Sequence, residues 1–186
     1  CTFNNSSMKL ISQFILKYIW HFKFEGAFPK SIHKFVLIVA PHTTWLDFPL
    51  GLLIKWSQGV DINYIGKDSL FKPPFGFFFK WVGGTPVDRT KNNNLVDAII
   101  QVFNEREKFK LSIAPEGTRK KTEKWKTGFY HIAKGAQVPI VMLSLDFENK
   151  ILKISEPYYT TDNMEADFKH FEQFYKGIKG YHAHLS

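Results

Sequence analysis

The sequence is poor in cysteine and has no long hydrophobic run, and both shortages limit the class of protein. Cys1 is the only cysteine, so the chain can form no internal disulfide, which is typical of a reducing compartment. No run of eighteen uncharged apolar residues occurs, so we expect no transmembrane helix. The histidines are scattered along the chain, and we therefore expect no metal site.

Acidic residues are also in short supply. The 17 Asp and Glu residues are outnumbered by 25 Lys and Arg residues, which gives a formal net charge of +8 over 186 residues. This balance favours an anionic partner, such as a nucleic acid, an anionic lipid or a phosphorylated substrate. Aromatic residues make up 17% of the chain, and they serve either to stack on bases or to anchor a protein at a membrane interface. Because no RNP, KH, zinc-finger or helix-turn-helix signature occurs, we expect no nucleic-acid partner.

Strand-like and helical patterns alternate along the chain. Continuous apolar or alternating segments predict strands over 35–40, 60–65, 85–87, 111–114, 138–147 and 151–154. Apolar residues at helical spacing predict helices over 44–56, 92–103, 128–136 and 165–178. This order predicts one α/β domain over residues 25–186, with a central mixed, mostly parallel sheet flanked by helices.

The amino-terminal 24 residues differ in composition from the rest. Residues 1–7 read as a disordered leader or tag, and residues 8–24 show no cleavage site of a secretory signal. Residues 8–24 instead have the pattern of an amphipathic helix with a wide aromatic face and a basic face. A helix of this kind lies in a membrane interface, with these aromatic side chains in the lipid: Phe14, Tyr18, Trp20 and Phe22. A helix packed against its own domain explains the pattern equally well.

A histidine and an aspartate follow the first long apolar segment. His42 comes directly after Pro41, which stops the predicted strand, and Asp47 falls in the first turn of the predicted helix. Asp47 can then accept a hydrogen bond from one ring nitrogen of His42 and leave the other nitrogen free as a base. The alternative is a capping box of Thr44 and Asp47, in which His42 is an incidental loop residue.

A glycine-containing turn, Glu116-Gly117-Thr118-Arg119, follows the predicted strand 111–114. Gly117 allows a tight turn, and Arg119 offers a planar fork that suits phosphate. Glu116 would bond substrate hydroxyls or pin the loop. Because ligand sites in α/β sheets gather at the carboxyl ends of strands, we expect all four residues of this turn to contact substrate beside His42. An ordinary polar turn with a surface ion pair is the alternative.

Two further cations and an aromatic cluster lie between these motifs. Lys67 and Arg89 are candidate phosphate ligands, although Arg89 can equally pair with Asp88. Segment 75–81 is rich in aromatic residues that would line an acyl-chain channel or enter lipid: Phe75, Phe78, Phe79 and Trp81. Core packing is the alternative for at least half of them.

Together these blocks resemble the motifs of the lysophosphatidic acid acyltransferase (1-acylglycerol-3-phosphate O-acyltransferase) family of glycerolipid acyltransferases. His42 and Asp47 match H-x-x-x-x-D, and the family's other three blocks are matched in order by 84–89, 116–119 and 138–140. The resemblance implies acyl transfer from acyl-CoA or acyl carrier protein to the hydroxyl of a lysolipid, with no further cofactor. It also implies a peripheral or monotopic protein on the cytoplasmic face of a bacterial cell membrane.

Three positions depart from the family pattern. Pro41 stands in place of Asn, Thr44 in place of Ser, and Ala114 in place of Phe. These changes leave the base, its carboxylate and the arginine intact, but they leave the acceptor open between 1-acylglycerol-3-phosphate and a lyso-aminoacyl lipid, such as an ornithine or glycine lipid. A non-catalytic module that binds anionic membranes is the alternative from a different class.

Overall fold

The structure, a computed structural model, describes residues 5–67, 71–87, 95–122 and 124–186. The strands in these ranges are β1 (Lys23–Glu25), β2 (Lys34–Ala40), β3 (Asn63–Lys67), β4 (Gly84–Val87), β5 (Phe109–Ile113), β6 (Ile140–Asp146) and β7 (Ile151–Ile154). They form one sheet in the order β1-β7-β6-β2-β5-β3-β4. The strands from β6 to β4 in this order run parallel, and β7 pairs antiparallel with β6. The mixed, mostly parallel sheet expected from the sequence is thus confirmed.

Helices cover both faces of this sheet. In the described residues they are α1 (Asn5–Phe14), α2 (Asp47–Gln58), α3 (Gly76–Trp81), α4 (Leu95–Glu105), α5 (Gly128–Gly135) and α6 (Met164–Tyr175). A π-helical turn, Ile15–Ile19, continues α1, and a 3-10 turn, Ala183–Leu185, lies near the carboxyl terminus.

Two apolar clusters fill the spaces between the sheet and its helices. On one face α4, α5 and α6 contribute Phe103, Phe129 and Phe171. On the other face α2 contributes Leu50 and Ile54. The central strands are buried on both sides, which explains why they read as continuous apolar runs rather than alternating ones.

The topology brings the two motif-bearing loops together. β2 and β5 are parallel neighbours, with Ile38 opposite Ile113. The loop that follows each strand therefore leaves the same edge of the sheet. This edge carries residues 41–46 and residues 114–119.

The amino-terminal segment differs from the expectation at both ends. Helix α1 begins at Asn5, inside the segment expected to be a disordered leader, while residues 1–4 lie outside the described residues. The helical structure ends at Ile19, and residues 23–25 form β1 beside β7 instead of continuing the helix. The segment 8–24 is therefore not one helix.

Packing and exposure divide the amino-terminal helix into two sides. Ser12 and Leu16 are buried, and the Gln13 side chain donates a hydrogen bond to the Ser57 carbonyl at the end of α2. Phe14 and Tyr18 remain more than half exposed. The helix therefore packs on its own domain and also presents part of its aromatic face to the outside. Among the described residues, none of the helices has the length and hydropathy needed to span a bilayer.

Candidate active site

The His42–Asp47 pair forms where β2 ends and α2 begins. His42 Nδ1 lies 2.9 Å from Asp47 Oδ2. The same oxygen accepts hydrogen bonds from the backbone N–H groups of Thr43 and Thr44, each at 3.0 Å. Because Nδ1 faces a carboxylate oxygen, it carries the proton, and Nε2 keeps a lone pair. The contact with Asp47 is the one that the spacing predicts, and the role of His42 as a base stays a prediction.

The two members of this pair differ in how far they are exposed to solvent. The Asp47 side chain is 4% exposed, whereas the His42 side chain is 31% exposed. A buried carboxylate with three donors on one oxygen is held rigidly and orients the ring. The exposed edge of His42 remains accessible to a substrate.

Glu116 holds the histidine loop from the neighbouring strand. Its Oε2 atom accepts a hydrogen bond from the backbone N–H of His42 at 2.8 Å. Burial raises the pKa of Glu116, while this hydrogen bond acts in the opposite direction. Of the two roles expected for Glu116, the structure shows that it pins the loop.

The turn that follows Glu116 is tight and cationic. Gly117 has a φ of +65°, and its N–H donates to the Ala114 carbonyl at 3.1 Å. Arg119 is exposed at the end of this turn. Lys126 closes it, because its N–H donates to the Pro115 carbonyl at 2.9 Å and its side chain lies over Gly117.

Two cavities meet at His42. One, of about 170 Å³, is walled mostly by apolar side chains of α2, β2 and β3 and reaches from Asp47 to Lys55. The other, of about 560 Å³, has Thr118, Arg119 and Lys126 in its wall. Both cavities share His42, Tyr64, Ser112 and Ala114. The histidine therefore lies between an apolar and a more polar compartment.

The other cations expected at the site are only partly described. Lys67 is the last residue of β3, and its side chain lies outside what the structure describes. Arg89 lies outside the described residues. Both remain predictions as phosphate ligands.

The aromatic residues expected to meet lipid or an acyl chain divide into two groups. Phe75, Phe78 and Trp81 are exposed, and Trp20 and Phe79 are half-buried. Core packing, the alternative for at least half of the 75–81 cluster, is therefore wrong. In the described part of the chain, none of these residues lines the apolar cavity beside His42, and their contact with an acyl chain or lipid stays a prediction.

The expectation that Phe22 lies in lipid is wrong. It is 4% exposed and its ring packs edge-on against Phe147 at 5.3 Å. It therefore belongs to the core and cannot enter lipid.

Two site residues were missed in the sequence. Gly51 lines the apolar cavity one helical turn after Asp47, and the i, i+4 spacing on α2 is the signal that could have revealed it. Lys126 was not among the expected cations, and no local sequence pattern places it over Gly117. The structure holds no group of three potential metal-ligating side chains within the described residues.

Comparison with known proteins agrees with this fold and with the motifs at the site. The fold and the site together define an α/β protein with a histidine–aspartate pair at the carboxyl edge of its sheet. The sequence model of the acyltransferase family matches residues 21–146, which is more than half of the chain. The chain therefore belongs to the acyltransferase family, as its motifs predict, and this segment is an acyltransferase domain.

Two relatives extend this comparison. An uncharacterized acyltransferase of Schizosaccharomyces pombe is 28% identical over 134 residues, which cover 68% of this chain and 47% of the relative. The chain thus spans about half the length of that relative. The crystal structure of the 1-acyl-sn-glycerophosphate (LPA) acyltransferase PlsC from Thermotoga maritima has a similar fold, with a TM-score of 0.65 and 19% identity over 91% of this chain and 76% of that chain.

Proposed function

We propose that this protein transfers a fatty acyl group from a thioester donor to the free hydroxyl of a lysophospholipid, with 1-acylglycerol-3-phosphate as the acceptor. The observation that carries the proposal is the position of His42 between an apolar cavity and a larger cavity that has two cationic side chains in its wall. The fold similarity to an LPA acyltransferase supports the choice of acceptor. A non-catalytic membrane module would leave the preformed His42–Asp47 pair without a purpose.

The apolar cavity fits an acyl chain. Asp47, Gly51 and Lys55 line it at successive turns of α2, so it follows the helix for roughly 12 Å. At its far end Lys55 turns its ammonium group away to Asp61, at 2.8 Å, and to the Ile62 carbonyl, at 3.0 Å. The cavity therefore offers apolar contact along its length and a defined end.

The second cavity fits the charged part of the substrates. Arg119 and Lys126 bring two positive charges to its wall, and neither forms an ion pair in the part of the chain that the structure describes. A guanidinium group binds phosphate through two parallel hydrogen bonds. The acceptor phosphate in this cavity would place its hydroxyl near His42.

The reaction follows from the arrangement of the ring. His42 Nε2 takes the proton of the acceptor hydroxyl, and the oxygen attacks the thioester carbonyl carbon. The tetrahedral intermediate collapses, the carbon–sulfur bond breaks, and His42 returns the proton to the thiolate. The products are the ester and the free thiol. Asp47 stabilises the imidazolium ion that forms between the two proton transfers.

The oxyanion of the intermediate needs a hydrogen-bond donor. Two N–H groups at the start of α2 are already used, because Leu46 donates to Thr44 Oγ1 and Asp47 donates to the Thr44 carbonyl. The Thr118 N–H donates no hydrogen bond within the described residues and borders the second cavity. We therefore assign the oxyanion to Thr118, since a backbone donor there is already oriented.

The membrane face lies on the α2 side of the sheet. Exposed apolar side chains extend along α1 and its π-helical turn, over α3 and at Trp45 before α2. Helix α1 packs on α2, and Trp81 of α3 contacts Trp56 of α2. Aromatic side chains at this density favour a lipid interface, and the net charge of +8 favours an anionic one.

A panel of acceptors tests the proposal. The purified protein is incubated with radiolabelled acyl-CoA or acyl carrier protein and with 1-acylglycerol-3-phosphate, lysophosphatidylcholine or a lyso-ornithine lipid. We expect rapid conversion of the phosphate-bearing acceptor and slow conversion of the others. Conversion of the ornithine lipid alone would replace the acceptor, and conversion of none with either donor would contradict the proposed function.

A further inference from the structure

The last eight residues of the chain pack against the loop that carries His42. We call residues 179–186 the tail. The backbone N–H of His182 donates a hydrogen bond to Thr43 Oγ1 at 3.2 Å. Gly180 is buried against the same threonine and against Pro41. The tail therefore touches the residues on either side of His42 in the sequence.

The contact at Gly180 leaves no room for a side chain. A Cβ atom there would lie 2.6 Å from Thr43 Oγ1 and 2.8 Å from Thr43 Cγ2. Carbon contacts this short are repulsive, so any larger residue displaces the loop or the tail. Only glycine allows the tail backbone to lie this close to the Thr43 side chain.

The tail is itself fixed to the sheet. The Phe147 N–H, just after β6, donates to the Lys179 carbonyl at 2.9 Å, and the Phe147 ring packs edge-on against Tyr181. The Gly180 N–H donates to Ser186 Oγ at 2.8 Å, which folds the tail back on itself. The tail thus joins the turn after β6 to the loop after β2.

Thr43 connects this tail to the reacting histidine. Its side-chain oxygen accepts from the tail, and its N–H donates to Asp47 Oδ2 at 3.0 Å. That oxygen also faces His42 Nδ1. Thr43 is buried, so it has little freedom to move independently of either neighbour. A displacement of Thr43 therefore alters the carboxylate that orients the ring.

We propose that the tail is a positioning element, which holds Thr43 so that Asp47 keeps the His42 ring in its reactive orientation. The proposal rests on the proposed acyl transfer at His42. The family match ends at residue 146, so it assigns no role to this segment. Within the described residues the tail lines neither cavity, so its loss should affect turnover and leave substrate binding unchanged.

Gly180→Ala tests the proposal with one methyl group. We expect kcat to fall about 10- to 100-fold, since small misplacements of a catalytic group have effects of this size, while KM changes less than about twofold. Ala183→Val is the matched control, because it adds bulk to an exposed position of the same tail. Unchanged kcat in Gly180→Ala, or an equal fall in the control, would overturn the proposal.

The pair of variants Thr43→Ala and Thr43→Ala/Gly180→Ala shows whether the effect passes through Thr43. Thr43→Ala removes the two atoms nearest the new methyl group, Oγ1 and Cγ2, and leaves Pro41 Cγ at 3.2 Å. We expect the added Gly180→Ala change to lower kcat by less than about twofold in this background, because residues in contact are not additive. If the fold losses in kcat of the two single variants multiply in the double variant, the effect does not pass through Thr43.

A measurement without turnover separates this proposal from the proposed function. The Nδ1 proton of His42, hydrogen-bonded to Asp47, should give a low-field proton resonance in the folded protein. We expect Gly180→Ala to lose this resonance and Ala183→Val to keep it. If both variants keep the resonance, the positioning role is overturned, and this holds even if the wild type converts no lysolipid. If Gly180→Ala does not fold, Thr43→Val takes its place, because it removes only the side-chain oxygen that accepts from the tail. An unchanged His42 resonance in Thr43→Val would contradict the proposal.

Discussion

At the scale of single residues, the site is organised around one oxygen atom, Asp47 Oδ2. It receives the ring of His42 and two backbone N–H groups, and its side chain is almost fully buried. Three donors on one oxygen hold the carboxylate before substrate arrives. A preorganised orienting group lowers the reorganisation needed in the transition state.

The same oxygen explains why the sequence left two interpretations of this loop open. Asp47 bonds the Thr44 N–H, as in a capping box, and also bonds His42. The other half of the box is absent, because Thr44 Oγ1 accepts from Leu46 instead of Asp47. The spacing of His42 and Asp47 predicted their contact, but it could not show that Asp47 also bonds the Thr44 N–H.

Glu116 leads to a prediction about pH and stability. Burial raises its pKa above the ordinary value of 4.5. The folded chain therefore holds the proton more tightly than the unfolded chain, and the stability gained from this group is present at low pH and is lost as the pH rises through the folded pKa. Glu116→Gln removes the titration and keeps an oxygen that can accept from His42 N–H.

Thermal unfolding measures this effect. We expect the Tm of Glu116→Gln relative to wild type to increase between about pH 4 and about pH 7, because the wild type loses stability as Glu116 ionises and the variant does not. Glu172→Gln, on the exposed side of α6, controls for the loss of one negative charge. A Tm difference that stays constant over this range would show that burial does not perturb Glu116.

At the scale of secondary structure, helix α2 has a role that its amphipathic pattern did not reveal. The sequence predicted this helix. It did not predict the apolar cavity, because the opposite wall is formed by Ile62 and Tyr64, whose distance from α2 depends on how β3 joins the sheet. Gly51 reads from sequence as a weak helix residue, and in the structure it faces open space.

Gly51→Leu should shorten the acyl chain that the protein accepts. Gly51 is exposed and lines the apolar cavity, and a Cβ atom there meets nothing within 4 Å, so a leucine would enter the cavity without a clash. We expect turnover of long-chain donors to fall at least about tenfold and that of short-chain donors to persist. Leucine also favours the helix by up to about 1 kcal/mol over glycine, so the Tm should not fall.

Gly51→Ala is the matched control, because it brings a similar gain in helix propensity with little added volume. The measurement is kcat/KM for a series of acyl-CoA donors of increasing length. An equal loss for all chain lengths in Gly51→Leu would mean that the cavity does not hold the acyl chain.

The amino-terminal helix shows how local geometry overrides periodicity. The Trp20 N–H donates to the Ile15 carbonyl, five residues back, instead of four. Such a π turn shifts the following residues around the axis, and the helix then ends. Phe22 was placed on the same face as Phe14 by helical spacing, but it turns into the core beside Phe147. The spacing alone could not show where the hydrogen-bond pattern changes.

At the scale of the whole molecule, most of the sheet could be predicted, but its edge strand β1 could not. The apolar runs of β2 and β6 predicted a buried parallel centre, and both strands occupy it. Strand β1 has three residues with an exposed–intermediate–exposed pattern, too short and too polar to be distinguished from a loop. Its pairing with β7 depends on contacts far apart in the sequence.

The distribution of exposed aromatics over the molecule predicts which face binds lipid. Ile11 and Phe14 are both 56% exposed on α1. We expect Ile11→Asp/Phe14→Asp to weaken binding to phosphatidylglycerol-containing vesicles at least about tenfold, because it removes apolar contact and adds charge repulsion. Vesicle co-sedimentation at a fixed ionic strength provides the measurement.

Asn104→Asp/Gln173→Asp is the control for this experiment. It adds the same two negative charges on exposed positions of α4 and α6, on the other face of the sheet. If both double variants lose binding equally, net charge and not the α1 face governs the association. Unchanged binding in the α1 variant would exclude this face as the membrane contact.

The central claim is that His42 is the base for acyl transfer, and its most direct test is the turnover of 1-acylglycerol-3-phosphate by His42→Ala. The ring is partly exposed, so its loss should leave the fold and the Tm close to wild type. We predict that kcat falls about 10²- to 10⁴-fold, the range that base catalysis contributes, with little change in KM. A folded His42→Ala protein that turns over within a few-fold of wild type would contradict the account.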